Sequence, residues 1–380
     1  MHTSLRRLAC AAVGALTVLG AAGPTTALAG TAGTAAAPAV NLATNPGFEI
    51  PTLPLADWGS IPGWQCASGE AAVGAGAART GTAGLTVTPA NDHSNGECAQ
   101  TVAVRPNSSY TYSAWVRGSY VFLGATGTGN DVAPAWTETT SGGWQKLTTR
   151  FTTGPNASTV RLYLHGWYQQ GAFSADDVEL SGPAVDPAWA TWNVPYAQAI
   201  QDKKVFFTID DGWARPADVV SFVEANHLPV TTFPLSMPIG FEPDYFQRVS
   251  GAGTGGSVEA HSVSHRDLTT LPLAEQQAEI CDARDVITKR YGTVPKVFRP
   301  PYFAFNADTL QAAANCGLRT VMTATADYSW GASNSYHGGL QAGDVVIFHF
   351  SDTLAADLQR ALADATAAGL TVGGLRSYLS

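Results

Sequence analysis

Three polar clusters stand at the ends of apolar, strand-like runs in this chain. The first is Thr208-Ile209-Asp210-Asp211-Gly212-Trp213, two adjacent carboxylates following Val205-Phe206-Phe207. The second, His261-Ser262-Val263-Ser264-His265, sets two imidazoles four residues apart, and so on one face if the segment turns helically. The third is His349, flanked by Val346-Ile347-Phe348 and Phe350. Two histidines and a carboxylate are a usual catalytic zinc set that leaves positions open for water and substrate; Co²⁺ or Ni²⁺ suits the same donors. With one carboxylate on the metal, its neighbour is free to take a proton, and a histidine in an apolar setting can act as general acid near neutral pH. Together the clusters describe metal-assisted hydrolysis. Each alone has a plainer reading: Asp-Asp-Gly suits a turn, H-x-x-x-H a surface coincidence, and a solitary His a satisfied core position.

Their shared placement is what joins them. From about residue 200, strand-like runs at 205–209, 229–235, 257–260, 297–299, 319–325, 345–350 and 371–375 alternate with helical segments at 217–227, 273–291, 307–315 and 354–368. Gly317 and Gly369 stand at plausible helix ends. Repeated βα units predict a parallel sheet covered on both faces, and seven strands in so short a stretch favour a small or incomplete (β/α) barrel. Such barrels carry their chemistry at the C-terminal ends of the strands, where all three clusters fall.

Residues 41–182 follow a different grammar of short β-type runs broken by Gly, Asn, Pro and Ser. Alternation at Tyr110, Tyr112, Ala114 and Val116, and again at Val160, Leu162 and Leu164, predicts half-buried strands of a β-sandwich, a jelly roll. Between the halves, residues 183–199 hold three prolines and no period, and read as a linker whose Trp189 and Trp192 suggest that it packs on a neighbour.

The 380 residues carry Lys+Arg 21 against Asp+Glu 30, a net charge of −9, which disfavours nucleic-acid or anionic-membrane partners. At the start, Arg6 and Arg7 precede the uncharged run 8–22, Pro24 and Ala27-Leu28-Ala29, the pattern of a secretory signal peptide cut after Ala29, with 30–40 a flexible leader. The run is shorter than the ~20 residues of a membrane span, so no membrane anchor is expected. An exported, extracellular protein can oxidise its cysteines, and Cys66 with Cys98 and Cys281 with Cys316, each pair within one half, is the simplest of three pairings.

From Lys203 to Leu379 the chain resembles the polysaccharide deacetylases with a NodB-type catalytic domain, carbohydrate esterase family 4. The resemblance rests on five ordered motifs: Thr208-Ile209-Asp210-Asp211-Gly212, His261-Ser262-Val263-Ser264-His265, Arg299-Pro300-Pro301-Tyr302, Asp327-Tyr328-Ser329-Trp330 and Ile347-Phe348-His349. It implies a distorted (β/α)7 barrel over residues 200–380 and a divalent metal, most simply Zn²⁺, on Asp211, His261 and His265. By the same resemblance Asp210 is the base, His349 the acid and Arg299 the residue orienting Asp210. The Tyr302 amide would help hold the oxyanion, Asp327 would tune His349, and Trp330, Tyr302 and Trp213 would meet substrate. Trp213 replaces a common Pro, and Phe350 replaces the Asp that often follows the last His.

The opening Asn41–Glu49 and the closing 175–180 segment resemble jelly-roll carbohydrate-binding modules. That resemblance implies a structural Ca²⁺ on Glu49 and Asp177. Trp58, Trp136, Trp167 and Tyr168 lie in or beside loops and are the expected sugar-stacking rings, whereas Trp115 and Trp144 are expected in the core. The combined expectation is a secreted, monomeric, metal-dependent deacetylase of an N-acetylated polysaccharide, chitin-like or peptidoglycan. An O-acetyl xylan esterase, or a glycan-binding protein without catalysis, is the alternative.

Overall fold

The structure, a computed structural model, describes residues 40–50, 61–67, 70–191, 197–251 and 254–379. The expected signal peptide, Trp58 and Trp192 lie outside the described residues, as does all of the expected leader except Val40.

The amino-terminal half is a sandwich of two antiparallel sheets. One runs Ala71–Gly74, Gly84–Val87, Phe173–Gly182, Ser109–Arg117, Gln145–Thr152, with Val40–Asn41 also paired to Phe173–Gly182. The other runs Gln65–Cys66, Cys98–Ala103, Thr159–His165, Ser119–Thr126, Ala135–Thr139. The period-two expectation describes it well: Tyr110, Tyr112, Ala114 and Val116 meet Val160, Leu162 and Leu164 in the core. Cys66 is bonded to Cys98, which it faces across paired strands.

The second half is a parallel barrel centred on Lys204–Asp211, which is buried from Val205 to Asp210 as a strand covered on both faces must be. Thr231–Pro234 pairs on one side and Val345–His349 on the other; Ser257–Val258 follows Thr231–Pro234, and a bridge from Ala260 to Phe298 leads to Val297–Phe298. Thr371–Val372 adds to the start of the central strand.

Two expectations about this half need correction. The run 319–325 is not one strand. Thr320–Met322 pairs with Val297–Phe298, while Ala326–Asp327 pairs with Val345–His349. Between them the carbonyls of Met322 and Thr323 turn to the buried guanidinium of Arg299, at 3.3 and 3.0 Å, so a side chain takes the acceptors a ladder would have used. Nor is 183–199 only a linker, because Trp189–Thr191 pairs in parallel with Thr320–Met322 and adds a strand to the barrel.

The Leu273–Tyr291 helix joins the halves. From its sides Gln277 donates to Thr44 Oγ1 (2.5 Å), Asp282 accepts the Gly63 amide (3.0 Å), and Arg284 reaches the Thr101 carbonyl (3.3 Å). The Cys281–Cys316 disulfide ties this helix to the end of Ala307–Asn315. Among the described residues no helix is long and apolar enough to cross a membrane.

Candidate active site

The register of the central strands builds the site. Asp210 is level with His349 on one neighbour and Phe233 on the other, so base and acid candidates arrive side by side at one barrel rim. Asp211 follows with φ +79°, and Ser262 and His265 also take left-handed backbone, at φ +86° and +60°. The His261–His265 segment is therefore an irregular loop. Its four-residue spacing brings the imidazoles together through strained turns and not through a helical turn. The buried Glu279 holds that loop from the Leu273–Tyr291 helix, accepting the amides of Val263 (3.0 Å) and Ser264 (2.9 Å) and the Ser264 hydroxyl.

The result is a three-donor cluster. Asp211 Oδ1 lies 3.4 Å from His261 Nε2 and 3.3 Å from His265 Nε2. It is buried and has no hydrogen-bond partner among the described residues, the condition of an oxygen shaped for a cation. His261 Nδ1 donates to the Arg299 carbonyl at 2.8 Å, which leaves the Nε2 lone pair facing Asp211. The N₂O set thus fits a divalent transition metal, with Asp211, His261 and His265 as the residues to hold it. Burial alone would raise the Asp211 pKa, but the attraction of His261, with His265 and His349, holds it below the usual carboxylate range. His265 is lowered by burial and by its neighbour His261, favouring the neutral ligand form. Burial also opposes charge on His261, yet Asp210 and Asp211 raise its pKa.

Arg299 is fully buried and fixes Asp210. Its Nη1 donates to Asp210 Oδ1 at 2.8 Å and to Thr208 Oγ1 at 2.7 Å, while its guanidinium lies over the Phe233 ring. Above them opens a cleft of about 380 Å³ lined by the metal triad, Asp210, Tyr302, Asp327, Trp330 and His349. Tyr302, at φ +57°, sets its ring edge-on to His265. Trp330 stacks on His349, with centroids 4.5 Å apart and planes 19° apart.

Three expectations fail here. Ser329, and not Asp327, meets His349: Ser329 Oγ lies 2.8 Å from His349 Nδ1, while Asp327 Oδ1 accepts the Ser329 amide at 2.8 Å. Trp213 is exposed and is not among the residues lining the cleft. Glu49 and Asp177 do not fit Ca²⁺, since their oxygens already face protein donors. Glu49 takes the amides of Thr82 and Ala83 and the Thr82 hydroxyl, and Asp177 takes the Thr80 hydroxyl and pairs at 2.6 Å with the cation of Arg79.

On the sandwich, Trp136, Trp167 and Tyr168 are exposed and belong to a continuous run of rings. Tyr120 and Phe122 stack against Trp136, and Phe122 also meets His165 (5.0 Å) and Trp167 (5.3 Å). Phe122 faces Trp136 and His165 across three strands, while Val121 and Leu123 point into the core. Tyr120, Phe122 and His165 were not expected from the sequence. The outward alternation along 119–126 was the available signal.

Fold and site together define a barrel with a candidate metal site at its rim, joined to a β-sandwich with an aromatic outer face. Residues 197–321 match the family model described as polysaccharide deacetylase, and residues 40–172 one described as carbohydrate binding domain. An uncharacterized protein of Streptomyces coelicolor is 34% identical over 185 residues, 47% of this chain and 74% of the relative. Exochitinase 1 of Streptomyces olivaceoviridis is 44% identical over 178 residues, 47% of this chain but 26% of its own length. The chitooligosaccharide deacetylase of Rhizobium leguminosarum bv. trifolii is 30% identical over 132 residues, 34% of this chain and 60% of its own length. The chain thus spans less than two thirds of those last two relatives. It belongs to the polysaccharide deacetylase family and carries a carbohydrate-binding domain in addition.

Proposed function

We propose that this protein is a secreted, metal-dependent deacetylase that hydrolyses the N-acetyl groups of a neutral polysaccharide of the chitin type, with peptidoglycan glycan as the alternative N-acetylated chain. The observation that carries the reading is the unpartnered Asp211 oxygen between two imidazoles, one strand residue from the Arg299-held Asp210. A divalent metal on these three residues would supply a Lewis acid for the acetyl carbonyl and for water. Asp210, held by Arg299, takes the proton of the attacking water. The Tyr302 amide, at the cleft wall, donates to the carbonyl oxygen as charge develops there. His349 gives a proton to the leaving nitrogen as the bond to the acetyl carbon breaks, freeing acetate and an amino sugar. The ring run from Tyr120 to Tyr168 supports holding of the polymer, since apolar sugar faces pack on aromatic rings. The two disulfides support an oxidising, extracellular setting.

The test is acetate release from chitooligosaccharide, peptidoglycan and acetylated xylan, with and without chelator. Release from the N-acetylated substrates that stops on chelation and returns with Zn²⁺ is expected, and Asp210→Asn should abolish it while metal still binds. Release from xylan alone would move the assignment to an O-acetyl esterase. No release from any of the three, with polymer binding retained, would leave a glycan-binding protein.

A further inference from the structure

We propose that Ser329 is the positioning residue for His349, and that its hydroxyl keeps Nε2–H directed into the cleft in the imidazolium and in the resting neutral ring. This rests on the deacetylase reading above. The hydroxyl lies 2.8 Å from Nδ1, in a residue only 2% exposed, so water does not compete for the contact. A hydroxyl both donates and accepts, whereas a carboxylate only accepts. Ser329 can therefore accept from Nδ1–H of the imidazolium, and by rotating its proton donate to bare Nδ1 of the neutral ring. Nε2 carries hydrogen in either case. A carboxylate partner would hold the proton on Nδ1 and leave neutral Nε2 bare.

The turn bearing Ser329 is built to stay in place. Asp327 Oδ1 takes the Ser329 amide (2.8 Å), Asp357 Oδ1 takes the Gly331 amide (3.0 Å), and Arg360 Nη2 bonds the Ala332 carbonyl (2.8 Å). Trp330, in left-handed backbone at φ +51°, covers one face of the imidazole and blocks its swing. In the transfer step the imidazolium Nε2–H bond breaks, its proton goes to the leaving nitrogen, and the electron pair of the broken C–N bond goes to that nitrogen. His349 is left for that moment neutral with Nδ1–H donating to Ser329, the one state in which Nε2 is bare. Rebinding a proton from water at Nε2 restores it.

Ser329→Ala should lower kcat on N-acetylated chitooligosaccharide about 30-fold with KM little changed, in the range set by partners that orient a working imidazole. On 4-nitrophenyl acetate, whose leaving group needs no proton, the loss should stay below about threefold, and Ser329→Thr should restore both. Equal loss on the two substrates, or none, overturns the proposal. A readout independent of turnover uses the full chain labelled with ¹⁵N-histidine, with the His349 signal assigned through His349→Gln. The neutral ring should be mainly the Nε2–H tautomer, redistributed in Ser329→Ala. A mainly Nδ1–H tautomer in the unaltered protein overturns it. If the unaltered protein releases no acetate, the deacetylase reading falls, and the tautomer measurement alone decides the Ser329 assignment.

Discussion

Replacing Arg299 by Met removes a guanidinium that is fully buried and 2.8 Å from the Asp210 carboxylate. With charge centres about 4 Å apart and an effective dielectric near 20, the direct attraction is about 4 kcal/mol. Breaking a buried pair from one side typically costs ~3–5 kcal/mol, because the surviving charge is left without compensation. Arg299→Met also loses the bonds to Thr208, Met322 and Thr323. The single variant therefore overstates the pair, and a double-mutant cycle with Asp210→Asn isolates it. Urea unfolding of the full chain, freed of metal, should show Arg299→Met destabilised by at least ~3 kcal/mol. The double variant should be less destabilised than the sum of the singles by about 3–4 kcal/mol. Additivity within ~0.5 kcal/mol would refute the claim that Arg299 acts on the site chiefly as the countercharge of Asp210.

Asp282 gives a pH prediction. Burial raises its pKa well above the carboxylate range despite the Gly63 amide, so the stability it confers is present in acid and is lost as pH climbs from that range through its native value. Asp282→Asn keeps one acceptor for Gly63 and cannot ionise. Its free energy of unfolding should match the unaltered protein near pH 3 and exceed it increasingly toward pH 7, by about 1.4 kcal/mol per pH unit until the native pKa is passed; parallel curves would count against it. On the sandwich, Trp136→Ala should weaken retention on insoluble chitin about tenfold, near 1.4 kcal/mol, with release of acetate from short oligosaccharides unchanged. Unaltered retention would remove the ring platform from the reading.

The metal triad, Asp210 and His349 were legible because each is fixed by two local facts, its residue type and its place just beyond an apolar strand, whereas Arg299 came only from the motif resemblance. Ser329 was not. Asp327 and Ser329 lie two residues apart, and which of them faces His349 depends on a one-turn 3₁₀ segment with Trp330 in left-handed backbone. Pairing across strands hid the sandwich platform as well, since Phe122, Trp136 and His165 come together only when three strands take one register. Trp189–Thr191 was obscured by the prolines around it, because its pairing comes from a partner more than a hundred residues away. The Ca²⁺ expectation failed for a reason invisible to motif reading, a covalently attached cation, Arg79, beside Asp177.

The Leu273–Tyr291 helix is buried without interruption from Gln276 to Arg284, through more than two full turns. An ordinary barrel helix shows one wet face, whereas this one has walls on all sides, the sandwich providing one of them. Severing the chain between its halves would bare the Gln277, Asp282 and Arg284 groups to solvent and leave a scar where a surface should be. Sandwich and barrel are thus halves of one cooperative folding unit, expected to melt in a single transition, and a truncation meant to separate them would yield a fragment in place of a domain.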